Sequence, residues 1–165
     1  MQTEKVVDFI VNWLKEYAKN TKMNGFVVGI SGGIDSAVTS TLCAKTGLPT
    51  LCVEMPIHQS ENQVNRGKEH IKQLKKKFSN VSATKFDLTT VFEDFKNQDT
   101  DPKDVNTLNL SLANTRARLR MTALYYYAGL KKYLVVGTGN KVEDFGIGFY
   151  TKYGDGGVDL SPIAD

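Results

Sequence analysis

Apolar positions along the chain change period in a regular way. Val6, Val7, Ile10, Val11, Leu14, Tyr17 and Ala18 recur at helical spacing and predict an amphipathic helix with one face on the core. Asn24-Gly25 stops it, and Phe26–Ile30 is a short β-rich run that reads as a strand buried on both faces. Ser36–Lys45 then reads as a helix closed by Gly47 and Pro49, and Pro49–Met55 as a second strand. Ser60-Glu61-Asn62-Gln63 offers a helix cap ahead of an apolar stripe at Val64, Ile71, Leu74 and Phe78. A third short strand is expected near Ala83–Phe86, a helix over Leu88–Phe95 and a polar turn at Asn97–Pro102. A long helix over Asn106–Leu130 and a buried strand at Tyr133–Gly137 complete the series.

Strand, glycine turn, helix and strand in this order predict an α/β fold, a doubly wound, mostly parallel sheet with helices on both faces. Ligands of such sheets bind beyond the carboxyl ends of the strands, where the turns at Ser31 and Thr138 fall. With no internal repeat and no linker, residues 1–165 are expected to form a single domain.

Composition changes this picture little. A hydrophobic fraction of 41% and a charged fraction of 24% are those of an ordinary globular chain, and a net charge of +3 demands no polyanionic partner. Lys72, Lys75, Lys76 and Lys77 cluster on what reads as a solvated helix face, so no nucleic-acid partner is expected. Cys43 and Cys52 sit inside apolar patterns without a Cys-x-x-Cys or a histidine cluster, and read as buried reduced thiols. No signal sequence opens the chain and no apolar run approaches the roughly 18 residues of a membrane span, so a cytoplasmic protein without a membrane partner is expected.

The chemistry concentrates in Gly29-Ile30-Ser31-Gly32-Gly33-Ile34-Asp35-Ser36. A strand leading through Ser-Gly-Gly into a helix start aims backbone N–H groups, two hydroxyls and the helix dipole at one spot, which suits an anion such as pyrophosphate. The loop lacks the Gly-Lys-Ser/Thr of the kinase-type P-loop and is not Gly-x-Gly-x-x-Gly. In place of a lysine it offers a carboxylate, Asp35, and a carboxylate beside polyphosphate implies a metal between them, magnesium.

The loop resembles that of the N-type ATP pyrophosphatases, whose members adenylate acids. Two further stretches narrow the resemblance: Asn114-Thr115-Arg116-Ala117-Arg118-Leu119-Arg120-Met121, and Gly137-Thr138-Gly139-Asn140-Lys141-Val142-Glu143 followed by Thr151–Asp159. Together they are similar to the ammonia-dependent NAD synthetase family in its own motif order. The resemblance implies a Rossmann-like fold of the adenine nucleotide alpha hydrolase type. It also implies an ATP site at Gly29, Ile30, Ser31, Gly32, Gly33, Ile34, Asp35, Ser36 and Thr138. Deamido-NAD would be held by Arg120, Lys152 and Asp159, and Mg2+ by Asp35 and Glu143. Asp144 is a second candidate for the metal, with Glu143 favoured for its spacing from Thr138. No covalent catalytic nucleophile is implied.

ATP, deamido-NAD and ammonia are the expected substrates, with NAD, AMP and pyrophosphate as products, and a homodimer is the expected assembly. Free ammonia, or ammonia delivered by another protein, is the expected donor because only Met1–Phe26 precede the loop's strand, too little for a glutaminase. The family continues past the segment matching Asp155–Asp165, so the chain is expected to lack the family's C-terminal part. Rival readings are another adenylating ATP pyrophosphatase, GMP synthetase-like or tRNA-modifying, and a module that binds ATP without turnover. Neither RNA-binding nor extra cysteine modules are present for a tRNA-modifying enzyme, and a passive sensor need not carry both Asp35 and Glu143. Taken singly, Arg116, Arg118 and Arg120 are also compatible with surface ion pairs, with Arg118 opposite the other two. His58 and His70 read as surface or packing histidines, and Trp13 and Tyr125-Tyr126-Tyr127 as helix packing.

Overall fold

The computed structural model describes residues 2–98 and 104–164. The expected polar turn at Asn97–Pro102 therefore lies mostly outside the described residues. The strands β1 (Gly25–Ile30), β2 (Thr50–Glu54), β3 (Val81–Lys85) and β4 (Tyr133–Val136) form a parallel sheet in the order β3-β2-β1-β4. Phe26 stands opposite Thr50 on one side and Leu134 on the other, which sets the register of the central strand. Around them run α1 (Thr3–Asn20), α2 (Ile34–Lys45), α3 (Glu61–Lys77), α4 (Thr89–Lys96) and α5 (Val105–Lys131).

Strand side chains alternate between two cores, as a pleated strand requires. Phe26, Val28, Cys52 and Val136 meet Val11 and Leu14 of α1, Leu42 of α2 and Ile71 and Leu74 of α3. Val27, Leu51, Val53 and Val135 meet Phe92 of α4 and Met121, Leu124 and Ala128 of α5 on the opposite face. Continuous apolar strands are thus the consequence of a sheet covered twice, and each fully buried Val or Phe side chain contributes about 1.5–3 kcal/mol of transfer free energy.

The sequence misplaced some boundaries for local reasons. The second helix begins at Ile34, before the expected Ser36, because Gly33 takes an extended conformation at its N-cap. β3 starts at Val81 because Val81 pairs with Thr50. Val6 belongs to the apolar repeat yet is 42% exposed, so the buried stripe of α1 is narrower than its apolar stripe. A turn of π-helix at Val142–Ile147 carried no recognisable periodicity. Cys43 and Cys52 are free and buried, as expected.

The direction of the chain reverses across the sheet between β1 and β4. The first crossovers step from β1 through β2 to β3, and the long helix α5 returns the chain to the other side of β1. That reversal opens a crevice at the carboxyl ends of β1 and β4.

Candidate functional site

At this crevice Gly29, Ile30 and Ser31 from the end of β1 face Val136, Gly137 and Thr138 from the end of β4 across a cleft of about 230 Å³. Met55 and Gln59 after β2 form one wall, Ala117, Arg120, Met121 and Leu124 of α5 another, and Asp155 and Val158 close it from the C-terminal side. Apolar walls with a few polar groups at the rim suit a nucleotide base or sugar. The tail beyond Val158 runs beside β4, where Leu160 bridges Val136 and its carbonyl accepts the Gly137 N–H at 2.7 Å.

The loop after β1 is internally tied. Ser31 Oγ lies 3.1 Å from Ser36 Oγ and accepts the Gly33 N–H at 3.1 Å, while Ser36 Oγ donates to the Gly33 carbonyl at 3.0 Å. Gly32 takes a left-handed φ of +81°, and a Cβ there would collide with the Gln63 carbonyl oxygen of α3. Gly33 caps α2 without a side chain of its own, so the first amides of α2 have no side-chain cap. Gly32, Gly33, Ile34 and Ser36 line a second, more open hollow of about 480 Å³ together with Arg66 and His70 of α3. Asp35 stands half-exposed in the first turn of α2.

Arg120 is the predicted arginine that the structure brings into the cleft. Its Nε donates to the Met55 carbonyl at 3.2 Å, and burial, helped by the neighbouring Arg116 charge, pulls its pKa below the usual guanidinium range. A desolvated cation with free terminal nitrogens attracts an anion strongly. Arg116, one turn earlier on the same helix face, lays its guanidinium over the Phe92 ring at 4.4 Å. Arg118 points elsewhere, donating from Nε to the Lys152 carbonyl at 3.1 Å.

That last contact belongs to a seam. Thr151 Oγ1 donates to Asn114 Oδ1 at 2.9 Å, the Asp155 carboxylate accepts the Thr151 N–H at 3.0 Å, and Gly154 packs against Ala117. Two stretches far apart in sequence, the arginine helix and the Thr151–Asp155 segment, are thereby laid side by side. Lys152 itself is exposed, its ammonium 5.0 Å from the Tyr153 ring centroid, and does not line the cleft.

Asp159 is placed outside the cleft. Its carboxylate accepts the Val135 N–H at 2.8 Å and the Tyr125 hydroxyl at 3.0 Å, so both oxygens are engaged in holding the outer edge of β4. Tyr125 is held above the usual phenol range, to about 12, first by burial and then by this carboxylate.

Beyond Thr138 the Asn140 side-chain carbonyl accepts the N–H groups of Val142 and Glu143 at 3.0 and 3.1 Å and starts the π-helical turn. Glu143 is exposed, whereas Asp144 is partly covered and folds its carboxylate against Gly139. Burial, then Asp155 and then Glu143 raise the Asp144 carboxyl above the usual range. Among the described residues no three His, Cys, Asp or Glu side chains form a ready-made metal cage. Asp35 and Glu143 come from separate turns, the first of α2 and the π-helical turn, and neither lines the cleft between β1 and β4.

Several residues that build the site were not singled out from sequence: Met55, Gln59 and Asp155 in the cleft, and Arg66 on the loop. Met55 and Gln59 carried a weak signal, since they follow a buried strand at its carboxyl end. His70, read as surface or packing, is half-buried with Nε2 2.8 Å from Ser40 Oγ. His58 pairs with Glu93 at 2.5 Å and adopts a φ of +51°.

Comparison with known proteins agrees with this architecture. A profile of the NAD synthase family matches residues 6–165. An NH(3)-dependent NAD(+) synthetase of Mesoplasma florum is 40% identical over 99% of this chain and 64% of its own length. One from Saccharolobus solfataricus is 39% identical over 98% of this chain and 55% of its own. The chain thus spans less than two thirds of the length of these relatives. Among solved structures, an NMN synthetase from Francisella tularensis superposes with a TM-score of 0.88 at 33% identity, covering 100% of this chain and 66% of its own. An NH3-dependent NAD synthetase from Campylobacter jejuni gives 0.87 at 31% identity, covering 100% and 68%.

Proposed function

The chain belongs to the NAD synthase family, and on that premise we propose that it takes part in ATP- and magnesium-dependent conversion of deamido-NAD and ammonia to NAD. The observation that carries this reading is the meeting of the Ser31–Ser36 loop, Thr138 and the desolvated Arg120 around the crevice between β1 and β4. The acid oxygen of the nicotinate carboxylate attacks the α-phosphorus of ATP, a P–O bond breaks, and pyrophosphate leaves. Ammonia then attacks the carboxyl carbon of the mixed anhydride, AMP departs, and a proton is released to water.

The residues act by placement and charge rather than by covalent catalysis. Loop amides and the hydroxyls of Ser31 and Ser36 receive the pyrophosphate, exchanging their mutual hydrogen bonds for bonds to phosphate oxygens. Gly29, Ile30 and Thr138 hold the adenosine side, and Gly32, Gly33 and Ile34 line the phosphate side. Asp35 with Glu143, or Asp144 in its stead, would hold Mg2+, which supplies charge neutralisation on the departing pyrophosphate. Arg120 orients the acceptor dinucleotide from the cleft wall, and Lys152, exposed outside the cleft, reaches the acceptor only if its side chain leaves the Tyr153 ring. Asp159 acts on the acceptor only if ligand binding frees it from Val135 and Tyr125. The working protein is a cytoplasmic homodimer in this reading.

The likeness to an NMN synthetase favours a second acceptor, the mononucleotide acid that corresponds to NMN. The test incubates the protein with ATP, magnesium and ammonium and with each acid in turn, following AMP, pyrophosphate and the amide product. ADP in place of AMP would refute adenylation, and turnover with the mononucleotide alone would move the acceptor assignment.

A further inference from the structure

The first two turns of α3 back the loop after β1. Gly67 lies so close that a Cβ there would stand 3.4 Å from Ile30 Cγ2 and 3.7 Å from the Gly32 nitrogen. Its neighbour Arg66 donates from Nε to the Gly32 carbonyl at 3.1 Å. At the other end of that same peptide unit, the Gly33 N–H donates to Ser31 Oγ at 3.1 Å. The peptide between the two glycines is therefore fixed at both ends, its carbonyl turned onto α3.

This constraint has a chemical consequence. A peptide flanked by two glycines meets little steric resistance to rotation, because neither residue has a Cβ. Rotated, it would turn its carbonyl oxygen, the negative end of its dipole, away from α3 and into the hollow that Gly32, Gly33, Ile34 and Ser36 line. An anion there would be repelled by the group meant to receive it.

We infer that Arg66 is a positioning residue of the pyrophosphate loop, pinning the Gly32 carbonyl away from the anion and so keeping the loop in its receptive form. The inference rests on the reading of Ser31–Ser36 as a pyrophosphate cradle. What acts is the Nε–H donor rather than the charge, because Nε is the atom that reaches the carbonyl. Arg66 is exposed, so its replacement leaves the core intact.

Three substitutions separate donor from charge. Arg66→Gln sets an amide nitrogen at the same distance along the side chain as Nε, Arg66→Met has the same reach without a donor, and Arg66→Lys keeps the charge but puts a methylene in the donor's place. Titration calorimetry with inorganic pyrophosphate and magnesium is expected to show Arg66→Gln within about twofold of the parent, and Arg66→Met and Arg66→Lys weaker by about tenfold. Thermal unfolding of the ligand-free variants should stay within a few degrees. Parent-like binding by Arg66→Lys with loss in Arg66→Gln, or parent-like binding by all three, would overturn the inference. Amide exchange of Gly33 in the ligand-free protein provides an arm independent of the loop's ligand: it should quicken in Arg66→Met and not in Arg66→Gln, and no change in Arg66→Met would equally overturn it. Failure of the parent to bind pyrophosphate, with the exchange pattern intact, would count against the loop's proposed ligand and not against the anchoring.

Discussion

Replacing Gly32 by alanine applies two separate stresses to the loop, and the structure allows them to be told apart. The residue has a φ of +81°, which costs an L-residue about 1–2 kcal/mol. Its new Cβ would also run into the Gln63 carbonyl, a backbone atom that yields only if the first turn of α3 moves. Overpacking of that kind costs about 1–3 kcal/mol more, and alanine returns about 0.4–1 kcal/mol by stiffening the unfolded chain, so Gly32→Ala should lose about 1–4.5 kcal/mol, a large part of an ordinary domain's stability.

Two other glycines serve as controls. Gly47 has nearly the same φ, +79°, but nothing lies within 4 Å of the added Cβ, so Gly47→Ala carries the backbone strain alone. Alanine also stiffens the unfolded chain, returning about 0.4–1 kcal/mol, and the net loss at Gly47 should be about 1 kcal/mol. Gly33 is extended at φ −91° and ψ 166°, and its added Cβ would meet only the movable Ser31 hydroxyl at 3.3 Å. Gly33→Ala should cost no more than about 1 kcal/mol, the difference between glycine and alanine at an N-cap. Urea unfolding followed by circular dichroism gives the three values directly. Equal losses at Gly32 and Gly47 would mean that α3 does not press on the loop, and would remove the packing basis of the Arg66 argument as well.

Other parts of the molecule give further tests. Burial holds Cys52 at about 12, above its ordinary value of 9.0, and pushes Cys43 higher still with help from Cys52. Above pH 9 the unfolded thiols lose protons that the folded ones keep, so stability should fall by up to about 1.4 kcal/mol per pH unit per thiol. Below pH 9 this contribution is fully retained, and a Cys52→Ala variant with an unchanged alkaline slope would refute the account. Asp159→Asn removes the negative charge beside Tyr125, so one tyrosine should ionise at lower pH in ultraviolet titration, moving from about 12 towards 10.0 while burial keeps part of the shift. If the titration does not move, or if the tyrosine that moves survives in Tyr125→Phe, the hydrogen bond is not as described. For the metal, Glu143→Gln should raise the magnesium concentration needed for half-maximal turnover by about tenfold or more, since even outer-shell groups count for that much. Asp144→Asn having the larger effect would transfer the ligand role to Asp144.

The legibility of this fold in its sequence follows from how locally each feature is encoded. Phe26–Ile30 and Tyr133–Val136 announce themselves because a strand covered on both faces must be apolar without interruption. The loop after β1 is equally legible, since its glycines, hydroxyls and carboxylate are contiguous and their spacing is their geometry. The π-helical turn at Val142–Ile147 is not, because it is set by the Asn140 side chain and ends at Gly148 with a φ of +71°, neither of which leaves an apolar period. Arg66 was invisible for a different reason: its partner, Gly32, lies 34 residues away, and nothing along α3 says which carbonyl a surface arginine will find.

The arginine helix shows how far periodicity goes and where tertiary contact takes over. Helical spacing correctly put Arg116 and Arg120 on one face and Arg118 on another. It did not say that Arg116 would be spent on the Phe92 ring while Arg120 alone lines the cleft. Nor did it say that the third arginine would hold the Lys152 carbonyl, joining the helix to the segment that carries Lys152 and Asp155. Asp159, a few residues on, is held by Val135 of β4 and by Tyr125, two turns further along the same helix. The Thr151–Asp159 motif thus meets α5 at both ends: its first half is docked beside the cleft, and its last residue ties Tyr125 of α5 to the outer edge of β4. Under the proposed function, substitution of Arg118 should therefore raise the KM for the acid through the segment of Lys152 and Asp155 with unfolding little changed, whereas substitution of Asp159 should first lower the unfolding midpoint by loosening β4, the strand that leads to Thr138.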